Sequence, residues 1–353
     1  MASSEHQTTR RQFVSRSALL TAALELGMAR GGAVAQPEPV GTFSSYQSRR
    51  REALWSLLGD LPWQHQPAPP KVLRTEQHDN YTLERLVLDL NGIEAVPALL
   101  LIPKRLQHPA PGLLFIHWHA GMYGFGQRTT AARHERATRL CSHARRNGSG
   151  HPGDRQLVFW RTPARCRRPP GRGRCFQAHA VAGSGAVGHD DVRRVPGALL
   201  PGTRPEVDSQ RLGAFGMSMG SSKAWWLAAL EPQVTLTVDV CCLTDYESLI
   251  AANGLSGHGT HYFVPSLLKQ FDTTGVNELI VPRAHLSVNG RNDPLTPPAG
   301  VEKIRERLLP LYRQYGGEQN CRIELFDCAH EELPEMRSMI IDWMRRYLVV
   351  RAT

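Results

Sequence analysis

The chain has 353 residues, enough for one large α/β domain or two small ones with a sizeable core. Its formal net charge of +10 is concentrated in two places: residues 1–35 carry four arginines and two glutamates, and residues 141–203 carry eleven arginines, three aspartates and no lysine, so the rest sums to zero. That distribution argues against a basic nucleic-acid-binding face on the body of the chain, and seven cysteines without a C-x-x-C pair argue against a structural zinc site or a disulfide framework.

The first element is a leader. Arg10-Arg11 followed by Gln12 and Phe13 matches the twin-arginine export pattern, a moderately apolar stretch runs from Ala18 to Met28, and Ala33-Val34-Ala35 offers a cleavage site before Gln36. The stretch is too short, and with Glu25 and Arg30 too polar, to stay behind as a membrane anchor. The expectation is a twin-arginine signal over 1–35 and a soluble mature chain, 36–353, in the periplasm or outside the cell, with the export machinery as a partner.

Beyond the leader, Ser44–Pro62 reads as a helix with Ala53, Leu54, Leu57 and Leu58 on one face. Tyr81–Pro103 reads as a β-hairpin turning at Asn91-Gly92. "PGLLFIHWHAG" is an unbroken apolar strand that runs into polar groups, as a buried parallel strand does where it meets a loop. From Arg211 strands and helices alternate: strand "RLGAFG", helix "SSKAWWLAALEP", strand "VTLTVDVCCL", strand "HLSVNG", helix "GVEKIRERLLPLYRQYG", strand "CRIELFD" and helix "PEMRSMIIDWMRRYLVV". That alternation specifies an α/β fold with a mostly parallel sheet covered on both faces.

Between the first two of those elements stands Gly216-Met217-Ser218-Met219-Gly220, a G-x-S-x-G motif in strand–turn–helix context. This is a nucleophile elbow. Small residues two positions either side make room for a tight turn, which presents Ser218 at a helix N-terminus and aims the Met219 N–H at a developing oxyanion. A serine nucleophile needs a base, and the base an orienting acid. "HLSVNGRNDPLTP" places Asp293 in the loop after a strand, and "CRIELFDCAHEELPEM" places His330 in the loop before the last helix. Both loops sit at strand C-termini, where sites form in open α/β sheets. Taken singly, Asp293 reads equally well as a turn residue and His330 as a helix cap. Backbone N–H groups near His119, Ala120 or Gly121 are candidates for the second oxyanion donor, with Ala120 preferred. His119, Tyr262 and Phe263 are candidates for lining a substrate pocket, although the aromatics read equally well as core. His117 and His119 lack a third ligand at fitting spacing, so no metal is expected.

These segments resemble the dienelactone-hydrolase-like and acetyl-xylan-esterase-like α/β-hydrolases. The matching stretches are "LLFIHWHAGMYGFG", "RPEVDSQRLGAFGMSMG", "HYFVPSLLKQFDT", "PRAHLSVNGRNDPLTP" and "FDCAHEELPEMRSMIIDWM". The resemblance implies the α/β-hydrolase fold, Ser218 as nucleophile, Asp293 as acid, His330 as base, and cofactor-free hydrolysis of carboxylic esters through an acyl-enzyme. Dienelactone hydrolases proper use a cysteine nucleophile, so the serine favours the esterase side.

Residues 141–203 break the pattern. Sixteen of these 63 residues are glycine or proline, and "RTPARCRRPPGRGRC" can form neither a buried strand nor an amphipathic helix. Shifting the frame by one base permits "AIDNWCFGER" for Gly153–Thr162, and an amphipathic helix across Cys175–Pro201. The expectation is an out-of-frame stretch from about 135–145 to about 203, which as written lacks an interior strand beside the first hairpin. The leading reading is thus an exported serine esterase acting on a small-molecule or carbohydrate ester of the acetyl type. The competing classes are a prolyl-oligopeptidase-like serine peptidase, an inactive pseudoenzyme and a basic nucleic-acid-binding protein.

Overall fold

The computed structural model describes residues 40–58, 68–89, 95–104, 106, 108–116, 157–161, 204–259 and 262–349. The leader and most of the basic segment lie outside them. Among the described residues no helix is long and apolar enough to cross a membrane.

The first helix, α1, spans Val40–Leu57. Its Leu54, and Leu58 just past its end, are fully buried, while Ala53 and Leu57 pack at the rim of the same cluster. Strand β1 (Ala68–Gln77) was not expected, because its two prolines and mixed polarity hide the strand pattern; prolines are tolerated there because β1 is an edge strand. Strands β2 (Tyr81–Asp89) and β3 (Ala95–Pro103) form the expected hairpin, in unbroken register from Tyr81 opposite Pro103 to Asp89 opposite Ala95.

Strand β4 (Ala110–Ile116) runs parallel to β6 (Val207–Met217), which leads in turn to β7 (Val234–Val240), β8 (Ala284–Gly290) and β9 (Cys321–Phe326), all parallel. Strand β5 (Leu157–Arg161) lies between β3 and β4, so the nine-stranded sheet has the order β1-β2-β3-β5-β4-β6-β7-β8-β9. This corrects the expectation that the chain as written lacks the interior strand. "LVFWR" pairs antiparallel with Ala98–Leu101 and parallel with Gly112–Ile116. Five residues rich in β-branched and aromatic types suffice for a ladder on both sides, and glycines and prolines on either side of them hide the pattern in the sequence.

Helices cover both faces. Helix α2 (Met219–Leu230), α1 and α5 (Pro298–Gln314) lie on one side, and α6 (Pro334–Met344) on the other. Alternation along the strands feeds both cores: Leu114 and Ala214 face the first, while Leu113, Phe115 and Phe215 face the second. Val301, Ile304, Leu308 and Tyr312 make one face of α5, and Met336, Ile340 and Met344 one face of α6, each at helical spacing. Helix α2 is different. Ten of its residues, Gly220–Ser222 and Ala224–Leu230, are buried, because α1 closes over its outer side. Its C-terminal carbonyls are satisfied by two guanidinium groups. Arg283 donates to Ala228 O at 2.6 Å and to Glu231 O at 3.1 Å, and Arg51 donates to Ala229 O at 2.9 Å. Burial is the chief cause that pulls Arg283 down to about 10. Two short helices, α3 (Tyr246–Ala251) and α4 (Thr273–Asn277), fill the β7–β8 connection; Asp245 and Asp272 cap them by accepting from Ser248 N and Gly275 N.

Candidate active site

Ser218 sits between β6 and α2 with φ 57° and ψ −121°, a region that non-glycine residues rarely enter and that costs about 1–3 kcal/mol. The turn is held from both sides: Ser218 N donates to Val240 O at 2.8 Å and Ser222 N to Ser218 O at 3.1 Å. Gly216 is required by the same geometry, since a Cβ there would lie 2.0 Å from Gly220 O in the first turn of α2. Although Ser218 occupies the N-cap position, its side chain makes no capping bond to the helix. The hydroxyl is therefore not consumed by the backbone. Met219 is the first residue of α2, so its N–H is one of the N–H groups that the helix leaves without an intrahelical partner.

Asp293 and His330 come from the loops after β8 and β9. Those loops are zipped together: Arg291 N donates to Phe326 O at 2.7 Å, Asn292 N to Cys328 O at 2.9 Å, and the Asn292 amide to Asp327 Oδ1 at 2.8 Å. Gly290 lets the chains approach this closely, because a Cβ there would lie 2.2 Å from Ala329 O. The zipper delivers His330 Nδ1 to 2.7 Å from Asp293 Oδ2. The Asp293 side chain is buried, whereas the His330 side chain keeps 25% exposure. Asp293 also accepts from Leu295 N (2.9 Å) and Thr296 Oγ1 (2.9 Å). Burial pushes its carboxyl up, but the bond from His330, the imidazole charge and the bonds from Leu295 and Thr296 outweigh that and hold it below its ordinary value. An ionised carboxylate only accepts, so Nδ1 carries the proton and Nε2 is left as the basic nitrogen.

Three residues that sequence reasoning missed complete the setting. Thr296 supports the carboxylate, and a threonine three residues after an acid is a readable signal for such a contact. His258 donates from Nε2 to Leu295 O at 2.9 Å and stacks on Tyr262, so it braces the acid loop; burial lowers its pKa. Cys241, at the end of β7, places its Sγ within 4.8 Å of ligand atoms of both Asp293 and His330. Sulfur, oxygen and nitrogen donors thus lie close together here, with Asp293 and His330 hydrogen-bonded to each other.

Of the pocket candidates, Tyr262 is 2% exposed and belongs to the core, stacked on His258 and tilted against Tyr246, while Phe263 is half-buried against the same cluster. For Tyr262 the core reading holds, because α3 and the loop carrying His258 fold over its ring. His119 and Ala120, and with them the second oxyanion donor and the H-x-H pair, lie outside the described residues. The four described cysteines are buried and unpaired, as expected for thiols in a packed core.

No family model matches the chain. A protein of Bacillus subtilis (strain 168), "Putative hydrolase YtaP", is 33% identical over 302 residues, covering 86% of this chain and all of that protein. The chain belongs to the YtaP hydrolase family. Solved structures extend the likeness at the level of the fold. A glucuronoyl esterase from Solibacter usitatus superposes with a TM-score of 0.63 at 14% identity, over 90% of this chain and 99% of that one. Acetyl xylan esterase 1 from Thermoanaerobacterium sp. JW/SL YS485 gives 0.50 at 18% identity, over 88% of this hydrolase and 95% of that chain. The fold of this YtaP relative is the α/β-hydrolase fold.

Proposed function

We propose that this hydrolase is an exported serine esterase that cleaves carboxylic esters of the acetyl type on small molecules or carbohydrates. The observation that carries the reading is the pairing of two features at one end of the sheet. An elbow holds Ser218 in a strained backbone with its hydroxyl unused by the helix, and a buried carboxylate orients the His330 imidazole at 2.7 Å. Ser218 Oγ attacks the ester carbonyl carbon as His330 Nε2 takes its proton. The Met219 N–H, with a second donor for which Ala120 remains the candidate, stabilises the oxyanion. Collapse breaks the C–O bond, the alcohol leaves with the proton from His330, and water repeats the sequence to release the acid. Asp293 stays ionised and fixes the imidazole.

The ester class draws on the glucuronoyl and acetyl xylan esterases that share the fold. The likeness to dienelactone hydrolases rests on sequence motifs, and export rests on Arg10-Arg11 and the A-x-A site. The test is hydrolysis of nitrophenyl acetate beside a nitroanilide peptide, with wild type and Ser218→Ala. Ester cleavage that disappears in a folded Ser218→Ala variant supports the reading. Ester cleavage that persists sinks it, and preference for the amide moves it to the peptidase class.

A further inference from the structure

We infer that Cys241 is a positioning residue: its thiol holds the turn that carries His330, so that the imidazole faces Asp293 and Ser218 together. The inference rests on the serine-esterase reading and concerns a group which that mechanism does not use.

Cys241 stands at the end of β7, where the backbone and the thiol are bonded to all three catalytic segments. The carbonyl of the preceding residue, Val240, accepts from Ser218 N at 2.8 Å. Its own N–H donates to Val288 O at 2.9 Å, on the strand that leads to Asp293. Its Sγ donates to Glu331 O at 3.5 Å, the carbonyl next to His330. Glu331 N is bonded back to Ala329 O at 3.0 Å, so His330 sits at the apex of a three-residue turn. The thiol grips one side of that turn and Asp293 the other.

The backbone at Cys241 adds a second, independent observation. Its φ is 55°, in the left-handed region. A side chain there costs on the order of 1 kcal/mol that glycine would avoid. The strain is kept at a position where the Cβ–Sγ direction reaches the His330 turn, which ties the outlier to a role. The residue is fully buried. Burial first, and the charge of Asp293 next, push its thiol up to about 12. At working pH it is therefore a neutral donor, not a rival nucleophile, and it brings no negative charge beside the Asp293 carboxylate.

The experiment compares wild type, Cys241→Ala, Cys241→Ser and Ser218→Ala on nitrophenyl acetate, with kcat and KM separated and near-ultraviolet circular dichroism as the folding control. Loss of the donor should lower kcat about tenfold in Cys241→Ala with KM within about twofold, because substrate binding is not what the thiol serves. Cys241→Ser retains a donor and should recover most of kcat. Wild-type kcat in Cys241→Ala, or a serine variant no better than alanine, overturns the assignment. Should Cys241→Ala not fold, the serine variant decides alone: kcat close to wild type sustains the assignment, and less than about a tenth overturns it. Ser218→Ala keeps the two readings apart. If it retains activity, the esterase mechanism itself fails. If it is inactive while Cys241→Ala is fully active, only the role of Cys241 fails.

Discussion

The Asp293 carboxylate and the His330 imidazole meet at 2.7 Å although 37 residues separate them, because the two loops that carry them are hydrogen-bonded to each other backbone to backbone. Asp293→Asn keeps the shape of the contact but turns an acceptor into a donor toward Nδ1, so the imidazole is held in the wrong tautomer. The variant should lose about three to four orders of magnitude in kcat with little change in KM, the size of effect seen for this change in serine proteases. Steady-state ester hydrolysis checks it, and a loss confined to KM contradicts it.

The same contact predicts an acid limb in stability. The carboxyl of Asp293 is held below its ordinary value in the folded state. As pH falls the unfolded chain takes up this proton first, at about pH 4. The contribution of Asp293 is therefore fully present above about pH 4 and is lost as pH drops through the folded value. Melting temperatures between pH 6 and pH 3 should fall less steeply for Asp293→Asn than for wild type; equal slopes would show that the carboxylate carries no such linkage.

Gly216→Ala would place a methyl group 2.0 Å from the Gly220 carbonyl oxygen, and backbone cannot step aside as a flexible side chain can. Stability should drop by about 3 kcal/mol or more. Denaturant unfolding measures it, and a variant with unchanged midpoint would mean that the elbow is looser than the contact implies.

The strand Leu157–Arg161 is an interior one, hydrogen-bonded to β3 and β4. Val158→Pro removes an N–H from that ladder and should cost on the order of a few kcal/mol, read as a clear drop in melting temperature. A variant that melts like wild type would return the segment to the out-of-frame reading, which resequencing of codons 125–210 tests directly.

What the sequence determined by itself is local in origin. The alternating pattern of Tyr81–Pro103 marked the two strands that pair as β2 and β3, the spacing of Leu54 and Leu58 marked the buried face of α1, and G-x-S-x-G between a strand pattern and a helix pattern located Ser218 in its strained turn. Each depends on residues close in the chain, where turn chemistry and side-chain period act directly. The order of Ser218, Asp293 and His330 was legible for the same reason, as each follows a strand pattern. What only the tertiary structure decided involves residues far apart. "LVFWR" became a strand because β3 and β4 offered it two ladders. Tyr262 became core because His258 and Tyr246 closed on its ring. Cys241, unremarkable as one of two adjacent cysteines, came to lie against His330 because parallel strands align their C-terminal ends, and that alignment gathers distant loops into one site.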